Sequence, residues 1–210
     1  MQFLSSLPYY VILVFSIIFH EVAHGQMALW RGDTTARDAG RLTFNPLPHI
    51  DPFGTILFPL ILILMKSSFL FGWARPVPID PRRFGQARQD MALVGAAGPA
   101  SNIILAVILG QLFRWSAASS GAASVMSQAL FFGVMINLVL AVFNLIPIPP
   151  LDGSRIVLAF LPRRFLLPYM KLERFGMLIV FLAFYLGLFR VVVMPVVRFG
   201  LGLILGSGPY

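Results

Sequence analysis

His20, Glu21 and His24 are the residues of this chain whose types and spacing can do chemistry. They lie in IFHEVAHG, residues 18 to 25. On a helix, positions four apart share a face one turn apart, so His20 and His24 can hold one metal ion from the same side. Glu21, three residues before His24, borders that face. It can hold a metal-bound water without being a ligand. This is the HExxH arrangement, with two imidazoles on zinc and a glutamate as general base. The same residues pose a problem, because the surrounding segment 7 to 30 (LPYYVILVFSIIFHEVAHGQMALW) is otherwise apolar enough to cross a membrane. Titratable groups cost a few kcal/mol each in hydrocarbon, and a shared zinc ion is what neutralises them there.

Zinc with a catalytic role takes a third protein ligand and leaves one position for water. The chain has no cysteine, so that ligand is His or a carboxylate. Asp152 is the best placed, in NLIPIPPLDGSRI (144 to 156). Pro147, Pro149 and Pro150 prevent a continuous helix before it, and Gly153 permits a sharp turn or a close approach. Asp152 could instead cap the helix that SRIVLAF begins. His49, in the polar NPLPHIDP loop, is the rival third ligand, although a His beside an Asp in a loop more often serves a turn.

The elements that must position these residues follow from composition. Of 210 residues, 58% are hydrophobic and 11% charged, which describes an all-α polytopic membrane protein and leaves too little polar sequence for a separate soluble domain. The apolar segments are 7–30, 53–72, 91–113, 126–148 and a C-terminal helical region, 175–206, interrupted by Arg190, Pro195 and Arg198. They form a single domain. No Lys or Arg precedes the first segment and no small-residue cleavage site follows it, so the first span is expected to be retained.

The net charge of +8 sits in short loops between spans, a pattern of membrane orientation and anionic headgroups rather than of nucleic-acid binding. Arg31, Arg37 and Arg41 fall in the first loop, and Arg75, Arg82, Arg83 and Arg88 in the second. Arg155, Arg163, Arg164, Lys171 and Arg174 fall in the third. All share one side if segment 53–72, with Pro59 and Lys66-Ser67-Ser68, enters and leaves by the same face as a re-entrant or shallow insertion. Metal geometry demands the same. His20 and His24 lie late in their span and Asp152 just beyond its own, so these two spans must run parallel with one crossing, 91–113, between them. The basic loops are then expected in the cytosol and the N-terminus outside. Residues 149–174 are expected to start extended and become a helix near the interface. Trp30, Trp73 and Trp115 are expected at headgroup level.

Together, HEVAH (20–24), GPASN (98–102) and NLIPIPPLDG (144–153) resemble the site-2 protease family of intramembrane zinc metalloproteases, peptidase family M50. The chain is similar to compact bacterial members that lack a PDZ domain and carry the HIDPFGTILFP and FGWARPVPID insertion. The resemblance implies one zinc ion per chain on His20, His24 and Asp152, water activation by Glu21, and a bacterial inner-membrane location. It implies that Asn144, and with it Asn102 of GPASN, engages the substrate or the reacting carbonyl. Its expected substrates are transmembrane proteins, locally unwound, with 39–50 and 69–80 as extended edges to receive them. The alternatives are a metal-ion transporter using the same three ligands and a non-catalytic zinc-containing scaffold. The spans are poor in further polar groups for a transit path, which argues against transport, and an intact Glu21 with no obvious fourth ligand argues against the scaffold.

Overall fold

The structure, a computed structural model, describes residues 2–65 and 74–206. The described residues are helical, without strands. Helix α1 spans Gln2–Trp30, and a short α2, Thr35–Asp38, follows in the first loop. A distorted helical run over Pro52–Leu57 leads into α3, Phe58–Leu64. Then come α4 (Ala87–Ser120), α5 (Val125–Asn144), α6 (Asp152–Phe160), α7 (Arg163–Lys171), α8 (Gly176–Tyr185) and α9 (Met194–Leu205).

Residues Leu7–Trp30, α4 and α5 are each long and apolar enough to cross a membrane. The C-terminal region is bent by 69° between Arg163–Tyr185 and Phe189–Leu205, the break falling at Gly187 with its left-handed φ of 86°. With these apolar helices and their many exposed apolar side chains, the protein is an integral membrane protein.

Pairs of contacts fix the helix directions. Tyr9 meets Gln128 and Phe132, Ser16 meets Asn137, and His24 meets Asp152, so the chain advances together along α1 and α5. Those helices are parallel. Along α4 the order reverses: Val94 meets His24, and Asn102 meets His20 and Ser16. The connection between Trp30 and Ala87 therefore begins and ends at the same end of the bundle. The helical run from Pro52 to Leu64 is about 20 Å long at 1.5 Å per residue, short of the ~30 Å hydrocarbon core. Residues 66–72 of the 53–72 segment, with Lys66, Ser67 and Ser68, lie outside the described residues, as does Trp73.

The apolar core joins α4, α5 and α9 through Ala106, Phe113, Val134, Leu138, Val197 and Leu201. Helix α4 is longer than the expected 91–113. Its N-terminal polar residues are satisfied by packing partners: Asp90 accepts from Gln86 N and pairs with Arg31 at the end of α1. Its other end runs on through alanines and serines that favour or tolerate helix. Helix α5 stops at Asn144, short of the expected 148, because Pro147, Pro149 and Pro150 cannot continue it. Residues 145–151 form tight turns instead. The 149–174 region becomes α6 and α7. Trp30 and Trp115, 70% and 73% exposed, mark opposite ends of the bundle. No strand forms in 39–50, which holds a 3-10 turn at Leu47–His49, nor in 74–80; residues 69–73 lie outside the described part.

The turn after α5 is packed against its own backbone at Gly153. A Cβ there would press into the Leu145 carbonyl and lie 2.6 Å from Ile146 O. Backbone cannot move aside cheaply, so Gly153→Ala should destabilise the fold by about 1–3 kcal/mol. Gly202→Ala, which meets nothing within 4 Å in helix α9, should instead gain about 0.5–1 kcal/mol. Thermal unfolding of the two variants in detergent measures the contrast.

Candidate metal centre

His20 and His24 leave the same face of α1, with ring centroids 4.5 Å apart. Their Nε2 atoms are 3.0 Å apart. Asp152, at the start of α6, points Oδ2 at both, 3.1 Å from His20 Nε2 and 3.2 Å from His24 Nε2. All three residues are buried. Asp152 begins its helix but does not cap it. Its carboxylate turns to the histidines, and its other oxygen faces Arg155 at 3.6 Å.

The partners of the far ring nitrogens settle the chemistry of the near ones. His24 Nδ1 lies 2.7 Å from Val94 O, which can only accept, so Nδ1 carries the proton. His20 Nδ1 lies 2.6 Å from Asn102 Oδ1. The Asn102 amide is oriented by its own donations, from Nδ2 to Asn137 Oδ1 at 2.8 Å and to Ser16 O at 3.4 Å. In the neutral imidazoles both Nε2 atoms are therefore bare lone pairs. Two lone pairs and a carboxylate oxygen facing one point repel one another unless a cation sits there. Four ligands at ~2.0 Å in a tetrahedron stand about 3.3 Å apart, and the observed triangle of 3.0–3.2 Å fits that spacing. Among the described residues this is the group of three that could hold a metal ion.

Neighbouring elements have to come close for this triangle to form. Gly98 of GPASN lies against the two imidazoles: a Cβ there would run into His24 Nε2 and come within 2.6 Å of His20 Cε1. Pro99 removes the N–H that would bond the Gly95 carbonyl, which loosens α4 where His24 reaches Val94. Helix α6, which carries Asp152, is held at its far end by Arg88 of α4. That guanidinium donates to the carbonyls of Leu158, Ala159 and Leu161.

Glu21 is half-buried beside His20, and its Oε2 accepts from Val77 N at 3.0 Å. Arg41 is buried nearby and donates to Arg75 O at 2.6 Å and Pro76 O at 3.3 Å. Burial pushes the Arg41 guanidinium below the usual arginine range, Arg75 pushes it the same way, and the Glu21 carboxylate pulls it back up. It stays charged at any working pH.

Two of the remaining expectations land elsewhere. His49 is not brought to the cluster; its Nε2 pairs with Thr43 O at 2.9 Å within its own loop. Asn102 is fully buried and engaged at both ends of its amide, so it faces His20 and the helix interior rather than a substrate. Asn144 is half-buried at the end of α5, and its Nδ2 donates to Leu140 O at 2.9 Å. Ser16, Asn102 and Asn137 form a network behind His20 that the motifs alone do not show. A lone Asn137 amid FFGVMINLVLA was the available signal, since a polar amide in an apolar span needs a partner.

The sequence profile of peptidase family M50 matches residues 113–188. A Bacillus subtilis (strain 168) protein, "Putative zinc metalloprotease YwhC", is 40% identical over 203 residues, covering 94% of this chain and 89% of that protein. "Putative zinc metalloprotease Rip2" of Mycolicibacterium smegmatis is 32% identical over 141 residues, 66% of this chain and 51% of that protein. "Putative zinc metalloprotease MJ0611" of Methanocaldococcus jannaschii is 29% identical over 173 residues, 74% and 76% of the two chains. No solved structure matches.

Two substitutions test this geometry. Asn102→Ala frees the His20 ring and should weaken zinc binding about 10–100-fold, as loss of an outer hydrogen-bond partner does. Gly98→Ala should abolish stoichiometric zinc by displacing both rings. Competition with a chromophoric chelator, read beside the helical circular-dichroism signal, checks both.

Proposed function

The chain belongs to the site-2 protease family, peptidase family M50, and on that footing we propose that it hydrolyses peptide bonds within or near the transmembrane segments of membrane proteins. The observation that carries the proposal is the convergence of three lone-pair atoms on one point, with a glutamate as the next residue along the same helix. His20, His24 and Asp152 are the zinc ligands and Glu21 is the base.

When bound, zinc acidifies a water and polarises the scissile carbonyl. The rest falls to the chain's own groups. Glu21 takes a proton from the attacking water as its oxygen bonds to the carbonyl carbon. The same carboxyl passes that proton to the amide nitrogen as the C–N bond breaks. Asn144 is the candidate donor to the developing oxyanion; a carboxamide has two N–H bonds, and the one not given to Leu140 is free for this role. Asn102 acts behind His20, fixing its tautomer and angle. The burial of the cluster inside α1, α4 and α6 keeps competing solvent out. The basic loops lie in the cytosol of a bacterial inner membrane and the N-terminus lies outside, since Arg and Lys in short loops stay inside. The site then lies toward the cytosolic end of α1.

The test pairs wild type with Glu21→Gln, both purified as the full chain in detergent. Bound zinc is quantified, and cleavage is assayed on a panel of single-span membrane proteins. Both proteins should bind one zinc and only wild type should cleave. Equal cleavage by both would remove Glu21 from the mechanism. Asp152→Asn should lose zinc and activity together, because an amide oxygen carries no charge to offset the ion.

A further inference from the structure

Residues 74–80 (ARPVPID) cross the face of α1 that carries Glu21. Their contacts pin them point by point. Arg75 N donates to His49 O at 2.9 Å. The carbonyls of Arg75 and Pro76 accept from the buried Arg41. Asp80 N donates at 2.7 Å to Asp33, which is fully buried. Val77 N donates to Glu21 Oε2 at 3.0 Å.

The sequence makes this last contact selective. Proline has no N–H, so within Pro76-Val77-Pro78 only Val77 can donate from its main chain. The two prolines also bias the backbone toward an extended path that presents that N–H sideways. On α1, Gly25 lies one turn after Glu21 on the same face. A Cβ at Gly25 would come within 3.0 Å of Val77 Cγ1 and 2.6 Å of Leu42 Cδ2. The glycine that ends HEVAHG thus makes room for the strap to lie against the helix. The buried Val77 side chain fills that space.

We propose that the Val77 main-chain amide is a positioning group for Glu21: it holds one carboxylate oxygen and so aims the other at the attacking water. A glutamate has three rotatable side-chain bonds. Without an anchor its carboxylate samples several rotamers, most of them unproductive. The assignment rests on Glu21 being the base.

The experiment uses the full chain in detergent, with a single-span membrane protein that wild type cleaves as the probe. Val77→Pro deletes the N–H between two existing prolines and keeps an apolar side chain. Val77→Ala keeps the N–H and trims the side chain. Val77→Pro should bind zinc as wild type does and keep its KM, while kcat falls about a hundredfold, the scale expected when a reacting group is misplaced by about 1 Å. Val77→Ala should retain most of the kcat. Equal kcat in the two zinc-loaded variants overturns the proposal. If Val77→Pro fails to hold zinc, amide exchange at Val77 decides instead. Exchange should be at least about tenfold faster in Glu21→Ala than in Glu21→Gln, which keeps an acceptor oxygen; equal rates overturn the proposal. Activity in Glu21→Gln would overturn the base assignment itself, whereas a silent Glu21→Gln beside a fully active Val77→Pro would overturn only the role of Val77.

Discussion

Everything in this structure depends on making a buried carboxylate and two bare imidazole nitrogens tolerable to one another. The protons that could have softened the contact are committed elsewhere: His24 gives its own to Val94 O and His20 to Asn102. What remains is a triangle of lone pairs inside an apolar bundle, and a divalent cation is the group that turns its mutual repulsion into attraction. Removing charge from water is expensive, and the expense is recovered only where ligands and ion meet at bonding distance.

That requirement propagates outward. The ligands come from α1 and from the start of α6, residues far apart in sequence, so α1 and α5 must run parallel. Helix α4 has to return between them and lie very close to α1. A stripe of small residues on α4 permits this: Gly95 faces Asp152 and Arg155 of α6, and Gly98 faces the imidazoles. The buried amides of Asn102 and Asn137, with Ser16, lock α1, α4 and α5 together. In an apolar environment such hydrogen bonds also specify register, because a slipped helix would strand them.

The segment between α1 and α4 is bound to the same region by charge and backbone hydrogen bonds as well as by apolar contacts of Val77, Ile79 and Phe84. Arg41, Asp33 and Glu21, from three places around α1, each hold main-chain groups of residues 75–80. A stretch with three prolines among residues 76–81 cannot build a helix or a regular ladder, so side chains supply its partners.

The candidate metal triad and the crossing pattern were legible in one dimension. Three titratable residues at helical spacing inside an apolar run allow few readings, and Asp152 followed from proline and glycine signals that act locally. Parallel α1 and α5 followed from requiring those residues to meet. The tertiary structure decided what depends on which groups approach across helices. Asn102 reads as a substrate contact until α4 is placed against α1, where it is buried against His20. His49 stays a rival ligand to Asp152 until its ring is found against Thr43 O. Gly98, Arg88 and Val77 carry no chemical signal in one dimension: a glycine, an arginine and a main-chain N–H acquire their contacts only from neighbours that folding brings within a few ångströms.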